Sequence, residues 1–254
     1  MACPPVDLNR LEPPADVVAA MKSLHNRIQS VTNNTCPETG LGGHAGTMAC
    51  RELAKVFTYV DWFMREVLRR RLPPCLYDFG AGCCHVLMQA SMVWGWTTAG
   101  CELTSRMQAA VETTKLVARR LAEARLPHVM QRAHVPRVDE LPVCEDNAKA
   151  LEERLVQLRA SVLFAFWAGW AEKDKRVVLR LFRDLPDAQM LVVGDFTTNF
   201  GKPVQDCMYA QELLVHNDVA FNAFMQPKMA GSGSTKFRLA VFTKVDRSPR
   251  SPSI

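Results

Sequence analysis

Between residues 72 and 103 the sequence changes its period several times within a few residues, and no other feature restricts the fold as much. Cys75-Leu76-Tyr77-Asp78-Phe79 is an apolar run too short for a helix, and it breaks into Gly80-Ala81-Gly82. From Val86 to Val93 the pattern is helical. Thr97-Thr98-Ala99-Gly100-Cys101-Glu102 returns to strand character, and Ser105 to Ala124 is helical again. Strand, glycine turn, helix, strand and helix make a βαβα unit, which demands a parallel sheet with helices packed on its faces.

The rest of the chain continues that alternation. Val17, Val18, Met21, Leu24 and Ile28 recur at helical spacing and predict a helix from Ala15 to about Val31. Asn33 to Gly46 holds four glycines and a proline and reads as a loop. Met48 to Arg70 is expected to be a second helix, ended by Pro73-Pro74. A strand is expected within His128 to Val135 and a helix over Ala148 to Leu158. Strands then fall at Ser161–Trp167 and Met190–Gly194, each followed by a helix, Glu172 to Arg183 and Val204 to Leu214. Val219–Met229 and Lys236–Val245 flank Gly231-Ser-Gly233-Ser and read as a hairpin. The expected fold is α/β: a doubly wound sheet of seven strands closed by an antiparallel hairpin. Residues 1–14 and 247–254, rich in proline or in Arg/Ser/Pro, are expected to be disordered; 15–72 form a helical N-terminal extension, and 73–246 form the core.

Composition excludes several classes. The chain is 48% hydrophobic and 22% charged with no apolar run of the ~20 residues that a membrane span needs. The start Met1-Ala2-Cys3-Pro4-Pro5 lacks the basic and apolar regions of a secretory signal, so an intracellular location is expected. Nine cysteines are scattered without zinc-ligand spacing, so no metal is expected. The net charge of +5 concentrates at Arg69-Arg70-Arg71 and in the tail from Arg247 to Arg250. Such clusters are either solvated faces or weak contacts for nucleic acid or an acidic surface.

The glycine turn carries the chemistry. Gly80 and Gly82 let the backbone turn sharply and come close to a ligand. A dinucleotide enzyme would hold a pyrophosphate at the next helix, but Asp78 at the strand end would repel one and suits an amino group instead. Glu102, ending the next strand, stands where an acidic side chain accepts hydrogen bonds from ribose hydroxyls. A nucleoside carrying an amino acid satisfies both, and S-adenosyl-L-methionine is such a molecule. The expected cofactor-binding residues are Asp78, Phe79, Gly80, Ala81, Gly82, Glu102 and Leu103, with Cys84 where a third glycine would favour close helix packing.

With these residues the chain resembles the disruptor-of-telomeric-silencing family of histone lysine methyltransferases, which lack a SET domain. The resemblance spans roughly residues 35 to 245. It rests on Asp78-Phe-Gly80-Ala-Gly82, Gly100-Cys-Glu102, Ser161-Val-Leu-Phe with the Asp174 to Phe182 helix, and Leu191-Val-Val ending in Asp195-Phe196. It implies a Rossmann-like class I methyltransferase fold, S-adenosylmethionine as cofactor, a histone or nucleosome as partner, and a nuclear location in place of a cytoplasmic one. Phe166 and Trp167 stand where the family carries an asparagine pair, and Gly40-Leu-Gly-Gly-His44-Ala-Gly46 replaces its aromatic-Gly-Glu loop.

Phe164, Phe166, Trp167 and Trp170 are the candidates for an aromatic wall around the acceptor, whose ring faces favour a cationic amine or sulfonium, with Phe164 as readily ordinary core; Phe166 and Trp167 are the expected acceptor-pocket residues. Asp195 is a further candidate for that pocket, and His85 for a cap or lining residue. Three readings remain open: a protein lysine methyltransferase, a methyltransferase for RNA or a small molecule, and a non-catalytic module on the same fold. The sequence leaves the acceptor, the number of methyl groups and the oligomeric state open.

Overall fold

The computed structural model describes residues 5–32, 48–70, 72–82, 84–103, 136–196, 219–227 and 237–244, with isolated helical positions at 112, 115, 211 and 213–214. Eight strands form one sheet: β1 (Val6–Asp7), β2 (Cys75–Phe79), β3 (Thr97–Glu102), β4 (Arg137–Glu140), β5 (Val162–Phe166), β6 (Met190–Phe196), β7 (Val219–Met225) and β8 (Phe237–Lys244). Their order is β1-β7-β8-β6-β5-β2-β3-β4. β8 runs antiparallel between β6 and β7, and the other pairings are parallel. The α/β sheet with its reversed hairpin is as expected, with eight strands in place of seven.

The added strand comes from the segment expected to be disordered. Val6 and Asp7 pair with Ala223 and Phe224, and Leu8 behind them is fully buried. A single buried leucine stabilises by about 1.5–3 kcal/mol, which two ladder positions and the Asp7 cap on Asn9 supplement. The strand expected within 128–135 lies outside the described residues, as do the 33–46 loop, the Gly231–Ser234 turn and nearly all of the 105–124 and 204–214 helices. The strand next to β3 is Arg137–Glu140.

Strand alternation divides the core in two. Leu76, Val162, Phe164, Met190 and Val192 point to one face, where α1 (Ala15–Thr32), α2 (Cys50–Trp62) and α3 (His85–Met92) pack. Tyr77, Phe79, Leu163, Ala165, Leu191 and Val193 point to the other, against α4 (Ala148–Leu158) and α5 (Glu172–Asp184). α2 stops short of the expected Arg70. A single π-turn follows at Phe63–Val67, and Arg69 then adopts a left-handed conformation with φ 53°.

α1 lies antiparallel to α3. The Gln89 side chain donates to the Met21 carbonyl at 2.9 Å, and one turn away the rings of His25 and His85 meet at 4.9 Å. Burial pushes the His85 imidazole down to about 3, with the field of His25 adding to it, and burial also lowers His25. Their Nδ1 atoms have no hydrogen-bond partner among the described residues. Because the folded value of His85 lies below the unfolded one, its contribution is intact above pH 6.5 and is lost as the pH falls toward 3. From pH ~7.5 to ~5.5 the free energy of denaturation of the wild type is expected to drop by about 1.4 kcal/mol more than that of His85→Asn. Urea titrations of both at the two pH values measure this.

Candidate functional site

The chain reverses its strand order at β2. From it β3 lies on one side and β5 on the other, so the carboxyl ends of β2 and β5 bound the crevice where open α/β sheets bind ligands. Gly80 and Gly82 follow β2 with φ of 83° and 51°, the left-handed region that glycine tolerates. Cys84 has φ 60° and is fully buried at the cap of α3, so the sequence departs from glycine at a position whose backbone favours it.

The turn is held by the end of β3. The Gly80 and Ala81 amides both donate to the Cys101 carbonyl at 2.9 Å. The Gly82 amide donates to Glu102 Oε2 at 2.6 Å, and Leu103 donates to Oε1 at 2.7 Å. These three turn amides are therefore spent internally and offer nothing to a pyrophosphate. Each Glu102 oxygen still has a lone pair to accept from a ligand hydroxyl. Gly100 is required by the same packing, since a Cβ there would lie 2.6 Å from the Asp78 carbonyl.

Asp78 is 3% exposed and meets no donor among the described residues. Burial, and then the charge of Glu102, raises its carboxyl well above the usual range. A buried carboxylate without a partner is costly, and a ligand's ammonium group would satisfy it. Asp78, Gly80, Gly82 and Glu102 are thus brought together in an arrangement that fits the amino and ribose groups of S-adenosylmethionine. Ala81 is buried and packs beside Gly100, while Leu103 is partly exposed next to Glu102. Phe79 is different. Its side chain is fully buried edge-on to Tyr77 on the α4–α5 face, so only its backbone reaches the turn.

The expected acceptor pair is split. Trp167 is fully buried in the α4–α5 core, its amide donating to the Gly194 carbonyl at 2.9 Å, and it offers no surface to a substrate. The physical reason is the period of two: Phe166 and Trp167 leave the sheet on opposite faces. Phe166 stays on the face shared with Asp78, half-buried and T-shaped to Phe237 at 5.1 Å, and its ring fills the space above Gly194. Asp195 is also turned away. It is fully buried with Lys175 Nζ at 2.7 Å, a pair whose disruption would cost about 3–5 kcal/mol.

Trp170, another member of the expected aromatic wall, lies at the glycine turn. Its amide closes a turn on the Trp167 carbonyl, with Gly169 at φ 84°, and its indole lies on Gly80. A Cβ at Gly80 would be 2.9 Å from Trp170 Cζ2. Only its aromatic type and its place just beyond a strand end marked it in the sequence.

Asp78 gives a testable consequence. Because its folded value is raised, the stability tied to its protonated form is present at low pH and is lost as the pH rises through that value. Asp78→Asn is therefore expected to melt higher than the wild type at pH ~8, with the gap closing toward pH ~4. Thermal denaturation of both proteins across that range checks it.

No family model and no curated protein sequence matches the chain. Solved structures do. A Pyrococcus horikoshii protein assigned as an RNA methyltransferase superposes with a TM-score of 0.52 at 10% identity, over 89% of this chain and 98% of its own. An S-adenosylmethionine-dependent methyltransferase of Agrobacterium tumefaciens gives 0.46 at 12% identity, over 79% of this chain and 64% of its own. A ribosomal protein L11 methylase of Lactobacillus delbrueckii gives 0.41 at 12% identity, over 74% and 79%. The first of these, together with the strand order and the antiparallel hairpin, identifies the fold of this chain as the Rossmann-like methyltransferase fold.

Proposed function

We propose that the protein is an S-adenosylmethionine-dependent methyltransferase. The observation that carries this reading is the buried carboxyl of Asp78, which meets no donor among the described residues, beside Glu102 at the sheet's switch point, over a turn whose amides are already used. Asp78 would take the amino group and Glu102 the ribose hydroxyls, with Gly80 and Gly82 admitting the ligand close to the backbone. S-adenosylmethionine supplies a methyl group on a sulfonium, so no protein nucleophile is required. The chain's own task is to align the acceptor and exclude water. Trp170, on Gly80, and Phe166, against Phe237, form the aromatic wall toward the acceptor.

For the acceptor we propose a lysine of a basic protein, histone-like as the sequence resemblance implies. The ring faces draw the cationic amine to the site, and its removal from water there disfavours the charge and so helps to supply the neutral amine that attacks. A second reading, methyl transfer to RNA, is favoured by the name of the Pyrococcus protein and by the polar pair that Phe166 and Trp167 replace.

Calorimetric titration with S-adenosylmethionine is expected to give a single site. Gly80→Arg should abolish binding, since it displaces Trp170 and strains a left-handed backbone, and Glu102→Ala should weaken it about tenfold or more. Radiolabel transfer to histones and to RNA then separates the acceptors: label on RNA alone overturns the lysine reading and keeps the cofactor reading. A folded wild type that does not bind the cofactor overturns both.

A further inference from the structure

The carboxyl end of α2 carries a surface that the proposed methyl transfer does not use. Trp62, the last residue of the helix, is 50% exposed although Tyr59 and Phe63 pack against its ring at 5.8 and 6.2 Å. Leu72 beyond it is 80% exposed. Four arginines stand against two acids between Asp61 and Leu72. Arg65 pairs with Asp61 at 3.0 Å, whereas exposed Arg69 and Arg70 have no carboxylate partner among the described residues.

The backbone there is strained in a telling way. After the π-turn, the Leu68 amide reaches the Phe63 carbonyl at 3.0 Å and the Arg70 amide reaches the Met64 carbonyl at 2.9 Å. The Arg70 closure spans seven residues, one more than the common 6→1 helix ending, and Trp96 makes the same closure on Ala90 with Gly95 in the left-handed position at φ 69°. Here Arg69 fills it at φ 53°. A glycine would relieve the strain, and the arginine side chain is exposed and gains nothing from packing.

We propose that Trp62, Arg69 and Arg70 bind a single-stranded nucleic acid. An exposed indole offers a face on which an unpaired base stacks, and unpaired guanidiniums beside it meet the flanking phosphates. Trp62 and Arg69 are seven residues apart across the π-turn, so their backbones are at most about 25 Å apart and one strand of several nucleotides spans both. The arginines without carboxylate partners match the charge of a phosphate backbone, and a duplex would keep its bases stacked away from the ring. The surface precedes β2 in the chain, and the glycine turn follows it. The inference is independent of methyl transfer, and its test needs no cofactor.

Fluorescence anisotropy of a labelled single-stranded RNA or DNA of about a dozen nucleotides, titrated with the full chain at several salt concentrations, tests it. Wild type is expected to bind either strand more tightly than the matching duplex. Trp62→Ala should weaken binding about tenfold or more, and Trp62→Phe should restore most of it. Arg69→Gly and Arg70→Ala should each reduce the salt slope by roughly 0.7. Arg69→Gly should also melt no lower than wild type, so its binding loss cannot come from misfolding. Absence of binding by the folded wild type, binding undiminished in Trp62→Ala, or equal or tighter binding of the duplex would overturn the proposal.

Discussion

The Cys101 carbonyl is the point on which the site is built. It accepts from two successive amides of the turn after β2, and the next residue, Glu102, takes the third. A glycine-rich strand-to-helix turn commonly presents its amides outward and so binds anions. Here β3 draws them inward, and what remains facing the crevice is a pair of carboxyl groups. The ligand preference changes sign for that reason, from phosphate to amine and hydroxyl. The arrangement depends on Gly100, because any side chain there would push β3 away from the Asp78 carbonyl and release the turn.

Much of this was legible because it rests on period and on residue type. The strand and helix patterns from Cys75 to Glu102 and from Ser161 to Phe196 located β2, β3, β5, β6, α3 and α5, and the hairpin followed from the Gly-Ser turn. Asp78 and Glu102 were readable because an acid at the end of an apolar run is conspicuous. The errors have physical causes. Val6–Asp7 is too short to show a period, and its ordering comes from Leu8 and β7, which lie far apart in sequence. Trp167 was chosen for its place at the strand end, yet alternation alone sends it to the face opposite Phe166. Trp170 sits three residues past that point, where a turn with Gly169 in the left-handed region redirects the chain, and no periodic signal reaches it.

The two faces of the sheet divide their labour. The α4–α5 face is closed by Trp167, Phe79 and Tyr77, and its one buried ion pair, Lys175 with Asp195, is satisfied internally. The α1–α3 face holds Asp78, whose carboxyl burial raises, and the contact of His25 with His85 at the start of α3. Buried polar atoms without a partner among the described residues occur on both faces, Tyr77 Oη and Arg154 Nη2 toward α4 and α5 as well as His85 Nδ1 toward α1, so what sets the Asp78 face apart is a buried carboxyl beside the glycine turn, where a ligand can supply the donor.

That division gives the N-terminal helices a part in the site. α1 runs antiparallel to α3, tied by Gln89 to the Met21 carbonyl and by the contact of His25 with His85 at the end of α3 that joins the glycine turn. α2 packs beside them and continues into the π-turn with Trp62 and Arg69 at its end. A shift of α1 along α3 would therefore be felt first at His85 and the turn. One along α2 would reach the exposed arginines. The N-terminal helices α1 and α2 are thus packed into continuity with both surfaces.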